Sequence, residues 1–267
     1  MESNIPEADR QHNLTHPSSL SNLIYPIYLL VGILLSNVLF AVPLRALSLG
    51  AGEVLLGGLV SAFVLTGFLL SVVGAAVCDR VGERLLLTAA FACYALAHGL
   101  GVSAGTPRLL MLSAVTAGLG DMLFTVGGMT YLTHLVALRD KDLIISVAFS
   151  LLQIGSVVGA AGAGRIVESS GFEVVFVIGL FVSIVGMLLC ALLPGVTAER
   201  RDAPVSFADI FRPYKTAFDL FRANDTVRIV AIVTSLGTAG WFTFRSSFYL
   251  DFLRRAGMSH AAVGLVT

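Results

Sequence analysis

The chain has 267 residues, of which 56% are hydrophobic and only 13% charged, and its mean hydropathy is +0.88. Those values lie outside the range of soluble globular domains and read as a polytopic membrane protein. Lys and Arg balance Asp and Glu at 17 each, so no charge excess draws the chain to nucleic acid. The three cysteines, Cys78, Cys93 and Cys190, have no CxxC spacing and read as small apolar fillers, with no metal site, cofactor motif or disulfide framework.

Residues 1–22 form a polar tail without the basic start and short apolar core of a cleaved signal, so the first apolar stretch, Leu23 to Pro43, is expected to be a retained helix. It carries one strongly polar residue, Asn37. The second stretch, Val54 to Cys78, leads into the turn Cys78-Asp79-Arg80-Val81-Gly82-Glu83-Arg84. The third stretch, Leu85 to Ala104, holds His98 near its end, read as an interface or packing histidine.

The fourth stretch, Arg108 to Thr133, places Asp121 near its middle on a helical face with Gly118, Thr125 and Gly128. Ionisable groups inside a span cost several kcal/mol by roughly any scale, which makes them the first candidates for a site. Asp121 is too short and too deep to reach the interface. The fifth stretch, Leu143 to Gly164, contains Gln153 and the pair Gly155 and Gly159, whose one-turn spacing permits close helix crossing in lipid. Gln153 and Asn37 serve either as interhelical hydrogen-bond groups or as polar contacts of a site.

The sixth stretch, Phe172 to Pro194, completes a block of six over residues 23–194. Residues 195–226 are polar enough to be a linker, and within them Phe207, Ile210, Phe211, Tyr214, Phe218 and Phe221 recur at helical spacing after Ser206. A short amphipathic helix on the membrane surface, or one packed under the bundle, is expected there. Residues 227–267 begin a second block: a seventh stretch runs from Val227 to Leu250 and carries Arg245, and an eighth starts near Ala261 and is expected to be truncated at Thr267. Arg245 shares a face with Thr234, Thr238 and Trp241, close enough to the helix end that it could also snorkel to the interface.

Each stretch can cross a hydrocarbon core of about 30 Å as a helix at about 1.5 Å per residue. Strands are excluded, because a barrel would show alternating segments of about 10 residues. With the N-terminus inside, the inner loops hold ten Lys and Arg residues and the outer loops five, which favours a cytoplasmic N-terminus. Gly50 to Gly57 after span one and Gly257 to Gly264 after span seven share their glycine spacing, as two parallel six-helix units would.

The turn at Asp79, Arg80, Gly82 and Arg84 resembles the signature between helices two and three of the major facilitator superfamily, with Ala75 at the first glycine and Glu83 at a basic position. Gly118-Leu119-Gly120 in span four and Gly155, Gly159, Gly162 and Gly164 in span five resemble further family motifs. Ala114 stands where proton-coupled drug exporters carry arginine, and Ala160 where the antiporter motif has proline.

The resemblance implies an all-α integral membrane bundle, about seven transmembrane helices plus a truncated eighth, without enzyme activity. It implies alternating-access transport of a small solute through a lipid bilayer, coupled to protons or cations, in the plasma (inner) membrane. The resembling fold lines its cavity with helices one, four and seven, hence the site expectation of Asp121, Arg245, Asn37 and Gln153, with Asp79, Arg80, Gly82 and Arg84 as a latch and Gly155 and Gly159 as packing glycines. Two other readings stay open: a truncated or assembly-only chain without independent transport, and a seven-span receptor or sensor.

Overall fold

A helix that crosses lipid must satisfy its own backbone, and the chain meets this with long helices reversed by short turns. The computed structural model describes residues 19–135, 141–195, 215–216, 218–245 and 247–266. A 3-10 turn, Ser19–Leu23, enters α1 (Ile24–Ser48), followed by α2 (Glu53–Val81), α3 (Glu83–Val102), α4 (Pro107–Leu135), α5 (Lys141–Ser170) and α6 (Phe172–Leu192). Then come α7 (Asp225–Arg245), α8 (Ser247–Arg255) and α9 (His260–Val266). Among the described residues, six helices are long and apolar enough to cross a membrane. The seventh predicted stretch is helical on both sides of residue 246, which lies outside the described residues, as α7 and α8, and the eighth begins as α9.

The sharpest reversals fall at glycines with positive φ, Gly82 between α2 and α3 and Gly171 between α5 and α6, at +85° and +87°. A side chain at either would be strained there. These turns mark the two ends of the bundle. The end of α4 and the start of α1 lie with Gly82, whereas the α1–α2 loop and the junction of α8 with α9 lie with Gly171.

α1 is the most enclosed helix: Ile27, Val31, Leu34 and Leu44 are fully buried, as it packs against α5 and α6. α3 lies between α4 and α6, and α2 lies against α4. In lipid, apolar contact alone gives little drive for association, so these pairs depend on interlocking shape. Between α3 and α6 the rings of Phe91 and His98 sit on Gly186 and Gly179, and Phe176 sits on Gly101, in one antiparallel register. Between α1 and α5, Gly155 meets the Leu29 carbonyl and Gly159 meets Ser36 and Ile33. Gly155 and Gly159 thus both lie directly on α1, and His98 is buried, with its Nδ1 2.8 Å from the Tyr94 carbonyl.

The predicted linker falls largely on residues 196–214, which lie outside the described residues, as do residues 1–18 and the Arg139–Asp140 loop. Of its aromatic stripe, Phe218 and Phe221 lie in a short helix at 218–223, where Phe218 is exposed beneath the Arg222 guanidinium. Asn224 then caps α7, its Oδ1 accepting the amides of Thr226 at 3.0 Å and Val227 at 3.2 Å.

Candidate functional site

Asp121 falls midway between Pro107 and Leu135 on α4. The helix comes close to its neighbours on this face because it lacks side chains there: Gly118 abuts the Phe63 backbone of α2, and Gly128 abuts the Tyr28 hydroxyl of α1. Between these crossings a groove of about 260 Å³ opens, lined by Phe63, Gly67, Phe68 and Ser71 of α2 and by Asp121, Met122 and Thr125 of α4. The walls are mainly apolar, and Asp121 supplies their one ionisable group.

The Tyr94 hydroxyl of α3 donates to Asp121 Oδ1 at 3.4 Å. Tyr94 is fully buried, fixed beside Phe91 and on the far side of α4 from α2. The carboxylate thus bridges two environments, a rigid phenol behind and an open groove in front. An ionised carboxylate accepts hydrogen bonds only, and a protonated one can donate one, so gain of a proton or a cation at Asp121 changes what the groove offers a solute.

The other expected site residues are dispersed. Asn37 is buried within α1 and Gln153 is exposed on α5, and neither lines the groove. Arg245 lies in α7, and its side chain lies outside the described residues. Sequence reasoning missed Tyr94, since a tyrosine in an apolar span reads as packing and only the α3–α4 crossing brings it to Asp121.

At the Gly82 turn, Asp79 is exposed and Arg80 half-buried, while Arg84 donates to the main-chain carbonyl of Ala191 at the end of α6. The motif's last arginine thus ties α3 to α6. Glu83, where the family pattern has a basic residue, is buried in the first turn of α3, where a carboxylate complements the helix dipole.

A second constellation lies at the Gly171 end. Arg255 of α8 reaches Glu53 of α2 at 3.2 Å and Asp251 at 2.8 Å. Glu168 of α5 accepts the amide of Ala261 in α9 at 3.1 Å. Arg45 lies over the Phe172 ring, which in turn meets His260 edge-on. Beneath them α5 and α9 cross at Gly164 and Gly264 with no side chain between. At this end α2, α5 and the start of α6 are thus joined to α8 and α9.

Residues 24–267 match the family described as Major Facilitator Superfamily. The protein named "Putative multidrug resistance protein MdtD" of Yersinia enterocolitica is 31% identical over 170 residues, covering 62% of this chain and 36% of that protein. The protein of the same name from Salmonella typhi is 30% identical over 163 residues, covering 60% and 34%. The chain therefore spans about a third of the length of these relatives. The crystal structure of the nucleoside transporter NupG (D323A mutant) shares the fold with a TM-score of 0.65 at 19% identity, covering 88% of this chain and 58% of that one. A structure from a study of substrate recognition in proton dependent oligopeptide transporters gives 0.59 at 14% identity, covering 84% and 53%.

Proposed function

The chain belongs to the major facilitator superfamily, a family of multi-pass membrane transporters and not of enzymes, and on that footing we propose that it moves a small solute by alternating access. Residues 23–194 form the first six-helix half and residues 227–267 open the second, joined by a linker at 195–226. The Gly82 end is proposed to face the cytoplasm of a plasma (inner) membrane, because ten Lys and Arg residues fall on that side and five on the other.

The observation that carries this reading is Asp121, a carboxylate at the midpoint of a membrane-crossing helix, open to a groove and backed by the Tyr94 hydroxyl. Apolar walls with one carboxylate favour an amphipathic solute bearing a cationic group, in keeping with the names of the relatives. Proton and solute would then compete for one carboxylate: binding of the cation requires that Asp121 has released its proton, and reprotonation expels the cation. That competition couples the two fluxes without any other energy source. Asn37, Gln153 and Arg245 are proposed as further polar contacts around the cavity, Arg245 toward any acidic group of the solute. The contacts at the Gly171 end support the state in which that side is shut.

The test uses the full-length protein in vesicles with an imposed pH gradient and a panel of amphipathic cations. Asp121→Asn is expected to abolish gradient-driven accumulation and to weaken downhill exchange of cations as well, because the amide neither exchanges a proton nor pairs with the cation. Undiminished accumulation by Asp121→Asn would remove Asp121 from the coupling role.

A further inference from the structure

The groove in front of Asp121 holds two hydroxyl oxygens besides the carboxylate, and the packing of α2 on α4 fixes where they stand. Phe63 meets Gly118, Gly67 faces Gly118 and Met122, and Gly74 meets Met122 and Val126. Residue numbers rise together along the two helices, which is a parallel register. It sets Gly67 level with Asp121, and Ser71, one turn on, level with Thr125, itself one turn on from Asp121. A Cβ at Gly67 would still stand 3.8 Å from the Gly118 carbonyl oxygen and 4.0 Å from Met122 Cβ, so the space before the carboxylate is not pressed shut.

The three polar groups offer the groove chiefly acceptors. An ionised carboxylate has about four acceptor positions, and the Tyr94 hydroxyl takes one of those on Asp121 from behind. Ser71 spends its hydrogen on the Phe68 carbonyl at 3.0 Å, which leaves its oxygen lone pairs. Thr125 is exposed and has no hydrogen-bond partner among the described residues, so its oxygen is open as well. Among the described residues no amide or cationic side chain lines the groove. A solute nitrogen that brings several N–H hydrogens satisfies this set, whereas a fully methylated nitrogen has the charge and leaves both hydroxyl oxygens dry.

An aromatic cage would reverse that preference, because ring faces hold quaternary ammonium ions. The groove has no such cage. Of its two phenylalanines Phe63 is only 4% exposed and is covered, while Phe68 at 71% opens a single ring, suited to the apolar body of a solute.

We infer that the Asp121 groove selects protonated amines that carry N–H hydrogens, primary ahead of tertiary, and discriminates against quaternary ammonium ions, with Ser71 and Thr125 as the specificity-determining residues. The inference rests on the reading of Asp121 as the partner of a cationic solute, and it names which cations.

The experiment uses full-length protein in lipid nanodiscs and four probes: 2-phenylethylammonium and its N-methyl, N,N-dimethyl and N,N,N-trimethyl derivatives. All four are cations at neutral pH, and binding to empty nanodiscs is subtracted. Each added methyl increases apolar surface and by itself strengthens binding, so a falling affinity isolates the loss of N–H hydrogens. Affinity is expected to fall about tenfold or more from the primary to the quaternary ion. Ser71→Ala and Thr125→Val, read separately, should each narrow that ratio about threefold or more. Affinity that stays level or rises along the series would overturn the inference, and this comparison needs no variant to fold. Sodium ions displacing the primary amine as effectively as its N-methyl derivative does would also overturn it, in favour of an inorganic cation site. If Asp121→Asn weakens all four probes while the wild type ranks them by hydrophobicity, the selectivity fails and the carboxylate reading stands. If Asp121→Asn binds all four as the wild type does, the carboxylate reading fails and the selectivity with it.

Discussion

Closure at the Gly171 end should depend chiefly on the bare crossing of α5 and α9, and Gly264→Val measures it. A Cβ at Gly264 would stand 2.5 Å from the Ala160 carbonyl oxygen and 3.1 Å from Gly164 Cα, where ordinary contact begins at 3.4 Å. The obstacle is backbone on both sides and cannot rotate away, so α9 must retreat by several tenths of an ångström and strain the Glu168 bond to the Ala261 amide. Overpacking of this kind costs about 1–3 kcal/mol, which moves a two-state equilibrium roughly 5- to 150-fold toward the state with the halves parted. By contrast, the Arg255–Glu53 pair is 66% and 70% exposed, and Arg255→Ala should shift the equilibrium by under about 1 kcal/mol. Spin labels at the exposed Ser48 and Ser259 in lipid nanodiscs report the separation directly. The reasoning fails if Gly264→Val leaves the distance distribution unchanged, or if Arg255→Ala widens it more than Gly264→Val does.

Three other outcomes are expected. Tyr94→Phe should keep the fold but shift the pH dependence of coupled transport less than Asp121→Asn does, since it removes one long hydrogen bond; an unaltered pH profile would deny the phenol a part. Gly179→Ala should lower the thermal unfolding midpoint in detergent, by about 1–3 kcal/mol of stability, because the new methyl meets the His98 ring, whereas Gly162→Ala, with open space at its Cβ, should be near neutral. Asp79→Asn should reduce transport more than membrane insertion, tested by comparing initial rates with surface amounts, and a normal rate at normal amount would return the turn to a purely topological role.

The first six helices and the candidate carboxylate were legible in the chain for one reason: lipid imposes a length and an apolar composition on anything that crosses it, so Asp121 stands out against its span. The glycine pairs were legible as well, because Gly155 and Gly159 sit one turn apart. Their partners were not, since Leu29, Ser36 and Ile33 carry no mark that distinguishes them from other residues of α1. Tyr94 was hidden in the same way, as one apolar-looking ring among several in α3.

What the sequence by itself determined is therefore a set of elements: helices long enough to span, a reversal at Gly82 and one deep carboxylate. Each of these follows from local chemistry, solvation of the backbone, conformational freedom at positive φ and the cost of a buried charge. Only the tertiary structure decided which faces meet. It set Tyr94 behind Asp121 and joined Glu53 to Arg255 and Glu168 to the Ala261 amide at the Gly171 end. Helix periodicity defines a face without saying what lies opposite, and that is settled by the fit of side chains such as Phe91 and His98 onto glycines distant in the chain.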